Sequence, residues 1–333
     1  MPRPRSNVTN LRGWPGCCSQ SRTQIESESE MRYACKGFHR MIQHLHERPI
    51  EGRVVAITGG ARGIGLATAR ALAVADARIA IADLDAELAA NVAIELGGEA
   101  FGVGVDVSDP AAFSAWLDDV EHRLGPLDVL INNAGIFTVG AIEDADQRLT
   151  DRLLAINLGA VIHGTREAVQ RMKPRGTGHI INMASTGGRL AGARLAPYVA
   201  SKFGVLGFSE AVALELRDTG VDISVILPHQ CRTDMTLGIE RLRGMPLIEP
   251  EDVADRIVET LQHPRFEVPV PKSIGRMLWL NQVLPFGARA AIFRAMKAHE
   301  VLERIDKSQR VSYETRLALV KPAAPPEATP PEG

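Results

Sequence analysis

The fold is decided by residues 54–65, which read Val54-Val55-Ala56-Ile57-Thr58-Gly59-Gly60-Ala61-Arg62-Gly63-Ile64-Gly65. The apolar first half predicts a buried strand, and the stretch that opens at Gly63 predicts a helix. Glycines at such a junction let the backbone pass close to a pyrophosphate, while the helix N-terminus supplies free N–H groups and a partial positive charge. Because the motif stands between a strand and a helix, it predicts dinucleotide binding. The expected contacts are Gly59, Arg62, Gly63, Ile64 and Gly65.

The same alternation continues along the chain. Short apolar runs predict seven strands, at residues 54–58, 78–83, 100–106, 128–132, 179–183, 223–227 and 266–270. Amphipathic stretches predict helices at residues 63–75, 85–96, 109–124, 150–172, 198–219 and 251–262. Such alternation is typical of βαβ units with right-handed crossovers, which place helices on both faces of a parallel sheet. We therefore predict a doubly wound α/β fold with its ligand crevice at the carboxyl ends of the strands.

Segments without this pattern flank the predicted domain. Residues 1–50 are mixed and polar, and we expect a poorly ordered N-terminal extension in which Met31 or Met41 is a candidate initiator. Residues 51–272 form the predicted nucleotide-binding domain, and residues 273–320 a C-terminal helical extension. Residues 321–333, rich in Pro, Ala and Glu, predict a disordered tail.

The composition is that of an ordinary globular protein, with 45% hydrophobic and 23% charged residues. A net charge of −2, with both signs scattered, argues against a nucleic-acid partner. The four cysteines match neither a zinc-ligand spacing nor a disulfide framework, so we expect free thiols and no metal site. Residues 1–30 lack the apolar run of a secretory signal, and no stretch reaches the roughly 18 apolar residues of a transmembrane helix. These features predict a cytoplasmic protein that at most contacts a membrane surface.

The second predicted strand ends in Asp83, where a carboxylate can accept hydrogen bonds from an adenosine ribose. Asp83 would also repel a 2′-phosphate, which favours NAD over NADP. Arg62 is the competing signal, because it could pair with that phosphate or be a solvated loop residue.

Polar and small residues also follow the third and fourth predicted strands. Asp106 and Val107 end the third, and Asn133, Ala134 and Gly135 follow the fourth. At these strand ends they are expected to meet the adenine and form the floor of the cofactor site. The alternative for Asp106 is a helix N-cap.

Tyr198 and Lys202 lie four residues apart on a predicted helix, so their side chains emerge on one face. An ammonium near a tyrosine stabilises the phenolate, and we expect Lys202 to lower the pKa of Tyr198. Ser185, just past the fifth predicted strand, can donate a hydrogen bond to a substrate oxygen as charge develops. Together with the glycine motif, these residues predict acid–base chemistry beside a bound dinucleotide.

In combination, these residues resemble the short-chain dehydrogenase/reductase family over residues 50 to about 270. The matching positions are Thr58, Gly59, Gly63, Gly65, Asp106, Asn132, Asn133, Ala134, Gly135, Asn157, Ser185, Tyr198 and Lys202. The resemblance implies a Rossmann-type sheet of seven strands and NAD(H)-dependent interconversion of an alcohol with a ketone or aldehyde. It also implies a homodimer or homotetramer whose interface is formed by the helices that carry Asn157 and Tyr198.

The resemblance assigns a role to each catalytic residue. Tyr198 would be the general acid–base and would also contact the cofactor, Lys202 would bind the nicotinamide ribose and tune Tyr198, and Ser185 would orient the substrate oxygen. Asn157 would hold a water that links Lys202 to solvent; the alternative is a polar residue inside a helix, which would leave a buried amide short of partners.

One segment departs from the family pattern, which usually has Pro-Gly after the sixth strand. This chain reads Pro228-His229-Gln230-Cys231-Arg232-Thr233. By resemblance, Pro228 and Thr233 contact the cofactor, Thr233 at the nicotinamide carboxamide. His229 either lines the active site or fills space.

The substrate side is expected to be closed by a lid at residues 234–248. Its apolar side chains favour an apolar small-molecule substrate or pack on the core: Met235, Leu237, Ile239, Leu242, Met245, Leu247 and Ile248. Residues 274–297 mix large apolar side chains with arginines. They could contact a membrane surface, or cover the pocket or a subunit face.

Two alternatives to an NAD(H)-dependent enzyme remain open. The first is an NADPH-dependent ketone reductase, favoured if Arg62 outweighs Asp83. The second is a dinucleotide-sensing protein, because nucleotide affinity does not require turnover. The combined presence of Asn157, Ser185, Tyr198 and Lys202 argues against sensing.

Overall fold

The structure is a computed structural model that describes residues 48–241, 246–295 and 305–319. Most of the predicted N-terminal extension and all of the predicted 321–333 tail lie outside the described residues, as do Leu242, Met245 and Lys297. Cys231 is a buried free thiol, and the other three cysteines are not among the described residues.

Seven parallel strands form one sheet in the order β3-β2-β1-β4-β5-β6-β7. They are β1 (Val54–Thr58), β2 (Arg78–Asp83), β3 (Phe101–Gly104), β4 (Val129–Asn132), β5 (Gly178–Met183), β6 (Val221–Pro228) and β7 (Glu267–Val270). The strand order reverses between β1 and β4, which opens a crevice at their carboxyl ends. The seven-stranded, doubly wound Rossmann-type fold predicted from the sequence is confirmed.

The helices that connect these strands cover both faces of the sheet. In chain order they are α1 (Gly63–Val74), α2 (Ala86–Leu96), α3 (Pro110–Leu124), α4 (Gln147–Leu154), α5 (Ala160–Met172), α6 (Ala196–Glu215) and α7 (Pro250–Gln262). The C-terminal helical extension contains α8 (Gly275–Val283), α9 (Phe286–Ala295) and α10 (Lys307–Leu319). None of the helices in the described ranges combines the length and apolarity needed to span a membrane.

Alternate residues of each strand face opposite sides of the sheet, which explains the continuous apolar runs in the sequence. Val55 and Ile57 pack in one core with α1, α2 and α7. Val54 and Ala56 pack in the other with α3 and α5. Because both faces are buried, no strand position of β1 is left for a polar surface residue.

The principal difference from the sequence prediction lies in the helix expected at residues 150–172. It begins earlier, at Gln147, and a π-helical turn at Ala155–Gly159 separates α4 from α5. Periodicity did not indicate this turn, because one inserted residue barely changes an apolar pattern over two helices.

Candidate active site

The glycine-rich turn is packed so closely that side chains are excluded from it. Gly59 has a φ of +62°, and a Cβ at this position would lie 2.9 Å from the Cα of Ala134. A Cβ on Gly65 would lie 2.1 Å from the carbonyl oxygen of Gly59. These contacts require glycine at both positions and leave the turn and the start of α1 open to a phosphate group. The residues present therefore fit a dinucleotide.

Hydrogen bonds between β1 and the loop after β4 fix this turn. Thr58 Oγ1 accepts from the backbone N–H groups of Asn133 and Ala134 at 3.0 and 3.1 Å. In return, the Asn133 amide donates to the carbonyl oxygens of Thr58 and Gly59 at 3.0 and 2.9 Å. The two strand ends that flank the crevice are thereby held together.

Asp83 lies at the end of β2 beside the same turn. Its carboxylate accepts from the Ala61 N–H at 3.2 Å and from the Asp85 N–H at 3.3 Å. Arg62 forms an ion pair with Asp85 at 2.6 Å, in which both side chains are more than 40% exposed. An exposed pair of this kind contributes little to stability, so Arg62 is held only loosely.

Asp106 does not cap a helix, because the N-cap of α3 is Asp109. The Asp106 carboxylate instead pairs with buried Arg152 at 2.6 Å and accepts from Ser108, whose hydroxyl Arg152 also contacts. Partial burial acts to raise the pKa of Asp106, but the hydrogen bonds from Arg152 and Ser108 outweigh it and lower the pKa. Asp106 is therefore a fixed anion in the loop that follows β3.

Tyr198 and Lys202 emerge from the first two turns of α6. Lys202 is 5% exposed, and its ammonium donates to the carbonyl oxygen of Met183 at 2.9 Å. Burial lowers the pKa of Lys202 to about 8. Burial also raises the pKa of Tyr198, an effect that the nearby Ser185 hydroxyl opposes. The expected lowering of the Tyr198 pKa by Lys202 is thus not found in this structure, because desolvation dominates.

Ser185 lies directly after β5 and faces Tyr198. Its hydroxyl accepts from the Gly187 N–H at 3.0 Å and lies within 3.4 Å of the Pro228 carbonyl oxygen. This geometry fixes the hydroxyl next to the Tyr198 side chain, where both can address one substrate oxygen.

Asn157 is completely buried in the π-helical turn. Its Oδ1 accepts from the Ile136 N–H and its Nδ2 donates to the Ile136 carbonyl, both at 2.8 Å. Nδ2 also lies 3.3 Å from Ser201 Oγ. A Cβ on Gly135 would meet Asn157 Oδ1 at 3.3 Å and Lys202 Nζ at 3.8 Å, so both groups border that glycine. The buried amide is therefore not short of partners.

His229 is 7% exposed and its Nδ1 lies 3.3 Å from Thr186 Oγ1. Its Nε2 has no hydrogen-bond partner among the described residues. Burial lowers the pKa of His229 to about 4, so the imidazole is neutral at physiological pH. Nearby, Thr233 packs against Gly63, since a Cβ there would lie 3.2 Å from Thr233 Cγ2.

A single cavity of about 690 Å³ brings these residues together. It is lined by every predicted catalytic and cofactor-binding residue except Gly65, which shapes the turn behind it, and Asn157, which lies behind Gly135. His229 also lines it. One half lies along the strand ends. The other is covered by the C-terminal extension, through side chains of α8, α9, α10 and the α8–α9 connection: Met277, Leu280, Leu284, Ile292, Phe293 and Tyr313.

Only part of the segment expected to form a lid, residues 234–248, lines the cavity. Met235 and Ile239 line the cavity, whereas Leu237 is partly exposed. Ile248 does not cover the cavity, because it packs in the core against Cys231 and α7.

Several cavity residues were not predicted from the sequence. Arg152 pairs with Asp106, and the Phe137 ring packs edge-on against Tyr198 with centroids 4.7 Å apart. Tyr313 and Arg289 come from the C-terminal extension. Covering the pocket was one of the places that the sequence favoured for residues 274–297, which include Arg289. Tyr313 lies outside that range, and no pattern in the sequence indicated its contact.

Comparison with known proteins agrees with this geometry. The family model "short chain dehydrogenase" matches residues 53–242. The chain is 34% identical over 248 residues to a D-beta-hydroxybutyrate dehydrogenase of Cupriavidus necator, covering 73% of this chain and 96% of that protein. It is 38% identical over 185 residues to a 3-alpha-(or 20-beta)-hydroxysteroid dehydrogenase of Mycobacterium tuberculosis, covering 56% of this chain and 71% of that protein.

Among solved structures, a short chain dehydrogenase/reductase from Burkholderia phymatum in complex with NAD superposes with a TM-score of 0.64. The two chains are 25% identical, and the match covers 70% of this chain and 94% of the other. Fold, site and comparisons define an oxidoreductase that acts on CH–OH donors with a nicotinamide dinucleotide. The chain belongs to the short-chain dehydrogenase/reductase family.

Proposed function

We propose that the protein uses NAD(H) to interconvert an apolar alcohol and its ketone or aldehyde, with Tyr198 as the general acid–base. The observation that carries this proposal is that the Ser185 and Tyr198 side chains meet at Gly187, where a Cβ would lie 3.4 Å from both Ser185 Oγ and Tyr198 Cε1, on the wall of the cavity that the glycine-rich turn also lines. The bound nicotinamide would supply or accept the hydride. Tyr198 would then exchange the hydroxyl proton, and Ser185 would hold the substrate oxygen.

Lys202 and Asn157 would assist Tyr198 without contacting the reacting oxygen. Lys202 borders Gly135 on the cavity wall, where its ammonium can contact a ribose hydroxyl when it leaves the Met183 carbonyl. Asn157 ties the loop after β4 to α6 through Ile136 and Ser201. One lone pair of Asn157 Oδ1 stays available for the water that would link Lys202 to solvent.

The preference for NAD rests on Asp83. Its carboxylate lines the cavity beside the glycine-rich turn, where a 2′-phosphate would be repelled. Arg62, the residue that would favour NADP, is paired with Asp85. An NADPH-dependent reductase is the alternative, since this exposed pair can open.

The preference for an apolar substrate rests on the walls contributed by the C-terminal extension. Met277, Leu280, Leu284, Ile292 and Phe293 enclose the half of the cavity beyond Tyr198. Such walls favour apolar surface by about 25 cal/mol per Å² removed from water.

Self-association is supported by exposed apolar side chains on α6, which carries Tyr198 and Lys202, and on α5, which follows the π-helical turn that carries Asn157. Phe203 and Leu214 on α6 are 43% and 60% exposed, and Ile162 on α5 is 41% exposed. We propose that these faces form a homodimer or homotetramer interface. Light scattering on Phe203→Glu should then give a lower mass than the wild type.

Peripheral membrane contact through residues 274–297 is a further proposal for partners. Trp279 and Phe286 are 65% and 77% exposed. Flotation with anionic liposomes should carry the wild type upward and leave a Trp279→Ser, Phe286→Ser protein behind. A wild type that stays at the bottom would remove this proposal.

A direct test of the proposed function follows nicotinamide absorbance with a panel of apolar secondary alcohols and ketones. NAD and NADP pairs are supplied in parallel. Turnover with NAD(H) on apolar compounds is the expected result. Preferential turnover with NADP(H) would assign the activity to the alternative reductase.

A further inference from the structure

One charged side chain stands out in the apolar half of the cavity. Arg289 on α9 lines the cavity together with Ile292 and Phe293, three and four residues further on. This spacing places all three on one face of the helix. The guanidinium therefore faces the apolar half of the cavity, among side chains that otherwise favour hydrocarbon.

The other cations of this cavity already have partners. Arg62 pairs with Asp85, Arg152 with Asp106 and Arg232 with Glu249, while Lys202 donates to the Met183 carbonyl. Arg289 has no ion pair or side-chain hydrogen bond with any described residue. Its Nε is buried and without a hydrogen-bond partner in that part of the chain.

A buried guanidinium N–H without an acceptor is unfavourable, because it has lost water and gained nothing in exchange. A planar anion such as a carboxylate can accept two parallel hydrogen bonds from the guanidinium. An anion that enters this half of the cavity would therefore meet a donor that the protein itself leaves unsatisfied.

We propose, building on the proposed function, that the apolar substrate carries an anionic oxygen group, carboxylate or phosphate, which Arg289 binds. The hydrocarbon portion lies against Leu280, Leu284 and Phe293, and the reacting oxygen lies at Ser185 and Tyr198. Arg289 then sets specificity by distinguishing acids from neutral compounds of the same length.

The experiment is a binding titration on the full-length protein with octanoate, octyl phosphate and the neutral 2-octanol at neutral pH. Wild type is compared with Arg289→Met and with the matched control Arg294→Met, which changes an exposed arginine on the same helix. We expect Arg289→Met to weaken binding of the preferred anion by about 10- to 100-fold, as for loss of a charge-assisted bidentate contact. Binding of 2-octanol and the Arg294→Met protein should change little. The two anions identify the preferred group.

Equal weakening of anions and 2-octanol in Arg289→Met would overturn the proposal, because Arg289 would then merely pack the wall. Unchanged anion binding would overturn it as well. Since the readout is binding, the test stands apart from turnover: absence of any dehydrogenase activity would refute the proposed function without altering the outcome of this titration. Arg289→Lys should restore part of the anion affinity but not the bidentate contact.

Discussion

The hydroxyl of Tyr313 accepts a hydrogen bond from the backbone N–H of Phe137 at 2.8 Å, across a sequence separation of 176 residues. Phe137 in turn packs edge-on against Tyr198. Helix α10 thereby supports the wall beside Tyr198, the proposed general acid–base. Arg310, one turn earlier, donates to the carbonyl oxygens of Met235 and Leu237 and fixes the segment after β6 to the same helix.

Replacement of Tyr313 by Phe should destabilise the protein and impair substrate binding. The Phe137 N–H would lose its acceptor in a buried position, which costs about 1–3 kcal/mol. Thermal unfolding and the KM for a turned-over ketone measure the two effects. Val311→Ala, on an exposed side chain of the same helix, should change neither. An unaltered Tyr313→Phe protein would show that α10 does not support this wall.

Removal of the Asp83 charge should shift cofactor preference toward NADP. A carboxylate about 4 Å from a 2′-phosphate costs roughly 1–4 kcal/mol per unit charge, so Asp83→Ser should raise the NADP/NAD ratio of kcat/KM by about 5- to 1000-fold. Asp85→Asn should add to the shift by releasing Arg62, while Asn still caps α2. A ratio that stays constant in both variants would show that neither Asp83 nor Arg62 acts at the ribose.

Asn157→Ala should lower the free energy of unfolding by about 2–4 kcal/mol, because both backbone groups of Ile136 would lose their buried partner. Denaturant unfolding of the protein without cofactor measures this. Asn91→Ala, on the exposed face of α2, is the control. A loss of activity without any loss of stability would instead assign Asn157 a role in the proton relay alone.

His229 should make the protein less stable in acid. In the unfolded chain its pKa is near 6.5, whereas burial lowers the pKa to about 4 in the folded protein. The unfolded chain therefore binds more protons between these values, and stability falls as pH drops through that window. Between pH 7 and pH 5, the free energy of unfolding should therefore fall by roughly 2 kcal/mol less in His229→Gln than in the wild type.

The control for this comparison is His122→Gln, which changes an exposed histidine. His179 stays in both proteins, and burial lowers its pKa to about 3. Both proteins will therefore still lose some stability as the pH falls. Identical losses in wild type and His229→Gln would contradict the burial of the His229 ring.

The sheet and the cofactor half of the site were predictable from local sequence. Strands such as Val54–Thr58 are buried throughout because both faces are covered, and the glycines follow at a fixed point of the fold. The side chains that surround the crevice follow the carboxyl ends of the strands. In a parallel sheet with right-handed crossovers, these ends all lie at the same edge.

The apolar half of the cavity, which the C-terminal extension covers, was not predictable in the same way. Tyr313 and Arg289 reach the cavity through the packing of helices that follow the last strand, and no short-range pattern encodes such contacts. The partner of Asp106 is Arg152, which lies 46 residues away on helix α4. The pKa of Tyr198 is set mainly by burial, and the four-residue spacing to Lys202 contains no information about burial.

The most direct test of the proposed chemistry compares wild type and Tyr198→Phe for both cofactor binding and turnover. The change removes only the hydroxyl that faces Ser185, so NAD(H) affinity should stay within about twofold while kcat/KM falls by about 10²- to 10⁴-fold, the usual contribution of a general acid–base. Absorbance of the nicotinamide reports turnover, and its fluorescence reports binding. A Tyr198→Phe protein that turns over the same alcohols and ketones at the wild-type rate would contradict the assignment of Tyr198 as the proton-transfer residue.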